Sequence, residues 1–249
     1  MTTTSEDRPA TGDAAGGDAG GARWRRWVLI GVIVAVVVGL GIGLGLGLSS
    51  RGSDAPHAGP EGVPVQNVPD LASPDTTAGG HPVGGITCQP TQKELVNYHI
   101  HVYVSVFVFG QQRRVPAGVG IPPPRLTLHL PTGLFYDGAL HGCLYWLHVH
   151  ANDGIIHVES PVRHTFSLGQ LFEIWHQPLG RSRVGPARGH VVAFVSGRVF
   201  VGNPRNVPLL PGGVIQLDVG TPVVPFKAVH FRVTGSCGVG TKTCSASSK

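Results

Sequence analysis

Apolar and polar residues alternate along the chain between Tyr98 and Phe109. The apolar set occupies every second position and consists of Ile100, Val102, Val104, Val106 and Val108. The positions between them include His99, His101, Tyr103 and Ser105. Because successive side chains of a strand point to opposite faces, this pattern predicts a strand with one face in a core and a histidine-bearing opposite face.

A second apolar stretch, from Cys143 to Ser160, is interrupted by Asn152-Asp153-Gly154. Asp-Gly between apolar runs is typical of a β-hairpin turn. Gly110-Gln111-Gln112 predicts another turn, before a return strand over Arg113–Pro116. Further strands are predicted near Leu126–Leu130, in a hairpin over 190–202 that turns at Ser196-Gly197, at Val214–Val219 and at Phe226–Val233.

One soluble helix is predicted after this hairpin. Ser167 and Gln170 have the spacing of a capping box, and an apolar stripe follows at Leu168, Leu171, Phe172 and Trp175. Many short strands with frequent Gly and Pro turns indicate a mainly β fold. We therefore expect a β-sandwich or barrel-like domain over residues 86–234, with one short helix.

The longest apolar run, Trp27–Leu48, contains no charged residue. Its length suffices to cross a bilayer as a helix, since about 20 residues are needed. Arg23, Arg25 and Arg26 precede it and only Arg51 follows closely, which predicts a cytoplasmic N-terminus and an extracytoplasmic domain. A cleaved signal peptide and a twin-arginine signal are the alternatives, and either would also export the domain.

Three segments lack the apolar periodicity of a folded domain. Residues 1–22 predict a disordered cytoplasmic tail, 49–85 a disordered Pro/Gly/Ser-rich linker, and 235–249 a C-terminal tail. Within the apolar run, Gly39, Gly43 and Gly47 lie on one helix face, a spacing that allows a close homodimer contact. Glycine is also common in membrane helices without such a contact.

Charge is divided unevenly along the chain. Residues 1–86 carry five Arg against eight acidic residues, a net charge of −3, whereas residues 87–249 carry fourteen Lys and Arg against six, a net charge of +8. A basic outer domain suits an anionic envelope polymer or lipid headgroups, although such a charge also serves solubility. No motif typical of nucleic-acid binding is present, so a nucleic-acid partner is not expected.

The four cysteines, Cys88, Cys143, Cys237 and Cys244, all follow the apolar run. An even number in an exported domain favours disulfides, and three pairings are possible. Cys88–Cys143 with Cys237–Cys244 is the preferred pairing. Paired cysteines cannot bind metal as thiolates, and the only methionine is Met1, so a blue-copper site is not expected.

Histidines carry the one specific chemical signal. If Asp153 and Gly154 are the two loop residues, His157 lies opposite His150 and Glu159 lies opposite His148. All four side chains then share one face of the hairpin and could converge on an ion. Three histidines and a carboxylate form a ligand set compatible with zinc, copper(II), manganese or iron, and zinc or copper is the expected metal. His99 and His101 could complete the shell, whereas a three-residue loop would shift the register by one and disperse the cluster.

Three stretches carry a resemblance: YHIHVYVSVFVFG (98–110), CLYWLHVHANDGIIHVESP (143–161) and FSLGQLFEIW (166–175). They resemble a family of exported or membrane-anchored microbial domains with H-x-H, L-H-x-H and I-H-[VI]-E-S-P motifs. The resemblance spans roughly residues 86–224 and implies no particular activity. It implies that the signature positions are His99, His101, His148, His150, His157 and Glu159. The chain departs from the family pattern at Ala151, where the family has an acidic residue.

Three functions are compatible with this sequence. The first is a membrane-anchored, histidine-rich module that captures, buffers or senses a transition metal. The second is a metal-dependent enzyme at the cell surface, with Glu159 as base and an open metal position beside a cleft. The third is a metal-free adhesion module that binds an anionic polymer through its basic surface.

Overall fold

A computed structural model describes residues 58–130 and 132–233, which form part of one compact unit. The first half of the domain contains strands β1 (Cys88–Pro90), β2 (Tyr98–Val108), β3 (Gln111–Arg113), β4 (Arg125–Leu130), β5 (Gly133–Gly138), β6 (Cys143–Tyr145), β7 (Leu147–His148) and β8 (Ile155–Ser160). Helix α1 (Leu168–Ile174) follows, and the second half contains β9 (Leu179–Gly180), β10 (Arg183–Val184), β11 (Ala187–Arg188), β12 (Val191–Val195), β13 (Arg198–Val199) and β14 (Val214–Val219). Short 3-10 turns occupy Pro74–Thr76, Thr91–Lys93 and Pro204–Asn206.

The main sheet has the strand order β13-β12-β14-β2-β8-β7, with β3 pairing to β2 as well. β14 and β2 form a parallel pair at its centre, and the other neighbours are antiparallel. β14 is buried along its whole length, as expected for a strand with both faces covered. The sequence of β2 suits this position because β-branched residues pack well on a pleated surface.

Helix α1 covers one face of the main sheet. Leu168, Leu171, Phe172 and Trp175 are fully buried against strand residues such as Ile100 and Val102. The Gln170 side chain accepts a hydrogen bond from the backbone N–H of Ser167 at 2.9 Å, which completes the predicted cap. The prediction of a mainly β domain with one short helix is confirmed.

Two irregular segments, 58–66 and 226–232, cover the opposite face. Val63 packs there with Tyr103, Ile155 and Val214, and Phe226, Val229 and Phe231 pack against this second core. In the part of the chain that the structure describes, β13 and β7 end the sheet without pairing to each other, so the sheet is open rather than a closed barrel. Coverage by a helix and by loops replaces the second sheet of the expected sandwich.

Two expectations about extended segments are corrected. Residues 58–85 belong to the folded domain rather than to a disordered linker, because Val63, Leu71 and Ala78 are buried. Phe226–Val233 is not a strand; its described residues lie over the main sheet without a ladder of their own. Composition misled the prediction in both places, since these segments pack through isolated apolar residues without a regular period.

The hairpins and the disulfide follow the sequence more closely. The turn after β2 lies at Phe109 and Gly110, one residue earlier than expected, and Ser196 and Gly197 form the predicted turn between β12 and β13. All four residues have positive φ, as a two-residue type I′ turn requires. The predicted strand near Leu126–Leu130 is β4, which pairs with β5. Cys88 and Cys143 form the preferred disulfide between β1 and β6.

Several predictions fall outside the described residues: the disordered tails at 1–22 and 235–249, the Cys237–Cys244 pair, the predicted membrane helix Trp27–Leu48 and its glycine face. Across residues 58–130 and 132–233, no helix has the length and apolarity needed to span a bilayer.

Candidate metal centre

The centre of the site is a row of residues that crosses three neighbouring strands. His101 on β2 is paired with His157 on β8, and His157 is paired in turn with His148 on β7. Two residues along the same strands, His99 is paired with Glu159. Residues two apart on a strand share a face, so all these side chains point to the side covered by segments 58–66 and 226–232.

The register of β7 and β8 differs from the predicted register by two residues. His157 lies opposite His148, not opposite His150, because β7 ends at His148 and the loop to β8 is longer than two residues. A slip of one residue would turn the histidines to the other face, but a slip of two preserves the face. The predicted cluster therefore forms even though the predicted pairing was wrong.

Two sets of side chains have donor atoms close enough to hold an ion. The first ligand set is His148, His150, His157 and Glu159, and the second ligand set is His99, His101 and His157. Within each set the donor atoms lie within 4.8 Å of one another. The structure thus brings together all six residues that the sequence singled out, and His157 belongs to both sets.

His148 and His150 show the most specific geometry. Nδ1 of His148 lies 2.7 Å from the carbonyl oxygen of Tyr145, and Nδ1 of His150 lies 2.6 Å from that of Tyr136. A carbonyl oxygen only accepts, so we assign the proton of each neutral ring to Nδ1. Each Nε2 then carries a lone pair, and the two Nε2 atoms face each other at 2.9 Å.

Two lone pairs at this distance repel each other unless a cation lies between them. A proton there would place a charge on a pair of buried rings, which is costly because His148 is 0% exposed. A metal ion satisfies both nitrogens, and metal-bound histidines commonly donate their other N–H to a carbonyl oxygen. The ring of Phe135 stacks on His150 with centroids 4.6 Å apart and closes this side of the site.

The second ligand set is held in a similar way. Nδ1 of His101 lies 3.2 Å from the carbonyl oxygen of Arg232, which leaves a lone pair on its Nε2. That Nε2 lies 3.0 Å from Nε2 of His99. Nε2 of His99 in turn lies 2.9 Å from Oε1 of Glu159, so Glu159 touches the second set as well as completing the first.

Sequence reasoning missed one carboxylate. Glu61, only 8% exposed, reaches the site from segment 58–66, and its Oε1 lies 3.6 Å from Nε2 of His157 and 3.9 Å from Nε2 of His101. The backbone N–H of Arg232 donates to the carbonyl oxygen of Glu61 and ties the two covering segments together. Only the isolated apolar residues around Glu61, such as Val63, hinted that this segment folds onto the domain.

Burial keeps most of the histidines neutral. It lowers the pKa of His101 to about 4 and that of His150 to about 3. Burial also lowers the pKa of His157 well below its ordinary value. For Glu159, burial alone favours the protonated acid, but hydrogen bonds from His157 and His99 outweigh it and hold the pKa well below the usual range. Neutral imidazoles and an ionised carboxylate are the forms that bind metal.

These shifts predict that metal binding resists acid. Ordinary histidines, with a pKa near 6.5, become protonated and release metal as the pH falls through about 6. Here the lowered pKa values of His101 and His150 mean that their charged forms appear only near pH 4 and below. We expect the full-length chain, loaded with zinc and dialysed at stepped pH, to retain it at pH 5 and lose it near pH 4. Release centred near pH 6.5 would contradict this.

The other histidines of the described residues do not join the cluster. His81, His129, His141, His164, His176, His190 and His230 are exposed. Among the described residues there is no free cysteine, so nitrogen and oxygen are the donors available to an ion in the cluster. Zinc and copper(II) accept such a mixture of imidazole and carboxylate.

Comparison with protein-family models, with curated proteins and with solved structures finds no match for this chain.

Proposed function

We propose that this protein is a membrane-anchored metal-binding protein whose extracytoplasmic domain captures, buffers or senses zinc or copper. The observation that carries the proposal is the pair of Nε2 lone pairs of His148 and His150, which face each other at 2.9 Å inside the domain. Both rings are fixed through Nδ1 by backbone carbonyls, so the donor atoms are oriented before an ion arrives. His157 and Glu159 supply two further donors within reach.

The burial of the histidines favours a metal-binding role over a catalytic one. His148, His150 and His157 are buried, and the cluster lies beneath segments 58–66 and 226–232. A catalytic metal requires an open position that a substrate can reach, whereas a holding site encloses its ion. The enzyme alternative therefore has less support than a binding role.

Location outside the cytoplasm is part of the proposal. The apolar run Trp27–Leu48, with Arg23, Arg25 and Arg26 before it, supports a single membrane span with the domain on the far side. The Cys88–Cys143 disulfide supports the same location, since disulfides persist in oxidising compartments. The net charge of +8 over residues 87–249 suits an anionic polymer of the cell envelope as a neighbour of the metal-binding domain.

The experiment compares metal content in matched variants. The full-length chain is purified in detergent, incubated with zinc or copper(II), dialysed, and analysed by elemental mass spectrometry. We expect His148→Ala/His150→Ala to lose one bound ion per chain relative to the unaltered protein. The control, His129→Ala/His141→Ala, removes two exposed histidines and should lose none.

Two results bear on the alternatives. Bound metal in the unaltered protein that persists in His148→Ala/His150→Ala would place the ion elsewhere. If none of the three proteins binds zinc or copper, the metal-binding proposal fails. Salt-sensitive binding to an anionic polymer that survives chelation would then favour the adhesion function.

A further inference from the structure

The donor atoms of the cluster form two sets rather than one. A single ion with metal–nitrogen distances of about 2.0–2.1 Å holds its ligand atoms no more than roughly 4 Å apart. In the first ligand set the pair His148 and His150 meets this limit, since their Nε2 atoms are 2.9 Å apart. In the second ligand set the pair His99 and His101 also meets this limit, since their Nε2 atoms are 3.0 Å apart.

The two pairs lie on opposite sides of His157. In the sheet, β8 runs between β2 and β7, and the paired row is His101, His157 and His148. Neighbouring strands are about 4.8 Å apart, so the backbones of β2 and β7 are separated by roughly twice that distance. The ring centroid of His157 lies 4.3 Å from that of His101 and 5.5 Å from that of His148. The two histidine pairs therefore belong to separate ligand sets on either side of His157.

Hydrogen-bond acceptors also converge within the second ligand set, as they do within the first. Nε2 of His101 carries a lone pair because its Nδ1 donates to the Arg232 carbonyl oxygen. The carboxylate of Glu61, which only accepts when ionised, faces that nitrogen at 3.9 Å and Nε2 of His157 at 3.6 Å. A second cation between these groups would satisfy acceptors that otherwise face one another.

Two carboxylates reach the cluster, and Glu159 contacts His99 of the second ligand set as well. Glu159 belongs to the first ligand set, and Glu61 approaches the second from the covering segment. Buried charges require partners of opposite sign. One divalent ion at each position gives each buried carboxylate a cation and supplies every ring of the cluster with a metal.

We propose that the cluster is a two-metal centre, in which two transition-metal ions lie side by side and the ring of His157 lies between them. This inference rests on the proposed function and extends it from one ion to two. His148, His150 and Glu159 would hold the first ion, and His99, His101 and Glu61 the second. His157, the residue common to both ligand sets, would be a ligand shared by the two ions.

Stoichiometry and magnetic coupling test the proposal with copper(II) as the probe. The full-length chain in detergent is saturated with copper(II), freed of excess by dialysis, and analysed for copper per chain and by electron paramagnetic resonance. We expect two copper ions and a spectrum broadened or weakened by coupling between neighbouring ions. His99→Ala/His101→Ala and His148→Ala/His150→Ala should each keep one ion with the sharp signal of an isolated copper, and His129→Ala/His141→Ala should keep two coupled ions.

The unaltered protein decides the matter even if a variant fails to fold. One copper per chain would overturn the two-metal centre while leaving the proposed metal-binding function intact. Two copper ions with the signals of isolated centres would also overturn it, because they would not be neighbours. No bound copper or zinc would overturn both proposals together.

Discussion

Replacing His157 with alanine is expected to weaken metal binding strongly at both ligand sets. His157 is the one residue that the two sets share, and its ring lies between His101 and His148 in the sheet. Changes in groups that merely orient a ligand commonly cost 10- to 100-fold in metal affinity, so loss of a shared ligand should weaken binding by on the order of 100-fold or more. Competition against a chromophoric chelator measures this change.

The control for this variant lies on the same strand. Val158→Ala truncates a fully buried side chain on the opposite face of β8, next to the site but outside it. It should lower stability and leave metal affinity within a few-fold of the unaltered value, because it removes packing and no ligand. Equal loss of affinity in both variants would show that His157 acts through packing alone.

Metal loading is expected to stabilise the fold by several kcal/mol. Ligands from β2, β7 and β8 surround the site, and segments 58–66 and 226–232 close over it, so the cluster depends on the folded chain. An ion that binds only the folded state at a free concentration of 1,000 times its dissociation constant adds about 4 kcal/mol. For a domain of this size that gain corresponds to a rise in Tm of roughly 10 °C.

Unfolding followed by circular dichroism, with zinc and then with excess chelator, measures this stabilisation. The same experiment on His157→Ala should show a much smaller difference between the two conditions, since the ions bind far more weakly. A zinc-dependent rise in Tm of equal size in His157→Ala would mean that the metal stabilises the protein from another place.

The sheet face to which each strand residue points could be predicted from the sequence, because residues two apart on a strand share a face. Alternation through Ile100 and Val102 placed His99 and His101 on one face, and the structure agrees. The predicted cluster of His148 and His157 also forms, because the observed register differs from the predicted one by two residues and an even shift keeps the same face. Which residues of β7 and β8 pair depends on the geometry of the loop between them. The Asp153-Gly154 sequence alone does not fix that geometry.

Long-range packing was beyond the sequence patterns. The parallel pairing of β2 with β14 joins segments more than a hundred residues apart, and no local signal encodes it. Glu61 lies in a Pro- and Gly-rich stretch whose apolar residues have no period, although Val63 is 3% exposed. The composition of that stretch indicated disorder, whereas contact with the main sheet orders it and brings a carboxylate to the histidines.

X-ray absorption at the zinc edge tests the central claim most directly, because it reports the atoms bound to the metal. The sample is the full-length chain in detergent, loaded with zinc and freed of excess by dialysis. Zinc surrounded by imidazole nitrogens and carboxylate oxygens at about 2.0–2.2 Å, with the outer-shell scattering of histidine rings, is the result we predict. A spectrum of zinc bound to water oxygens alone, or to sulfur, would contradict a histidine-based metal centre in this domain.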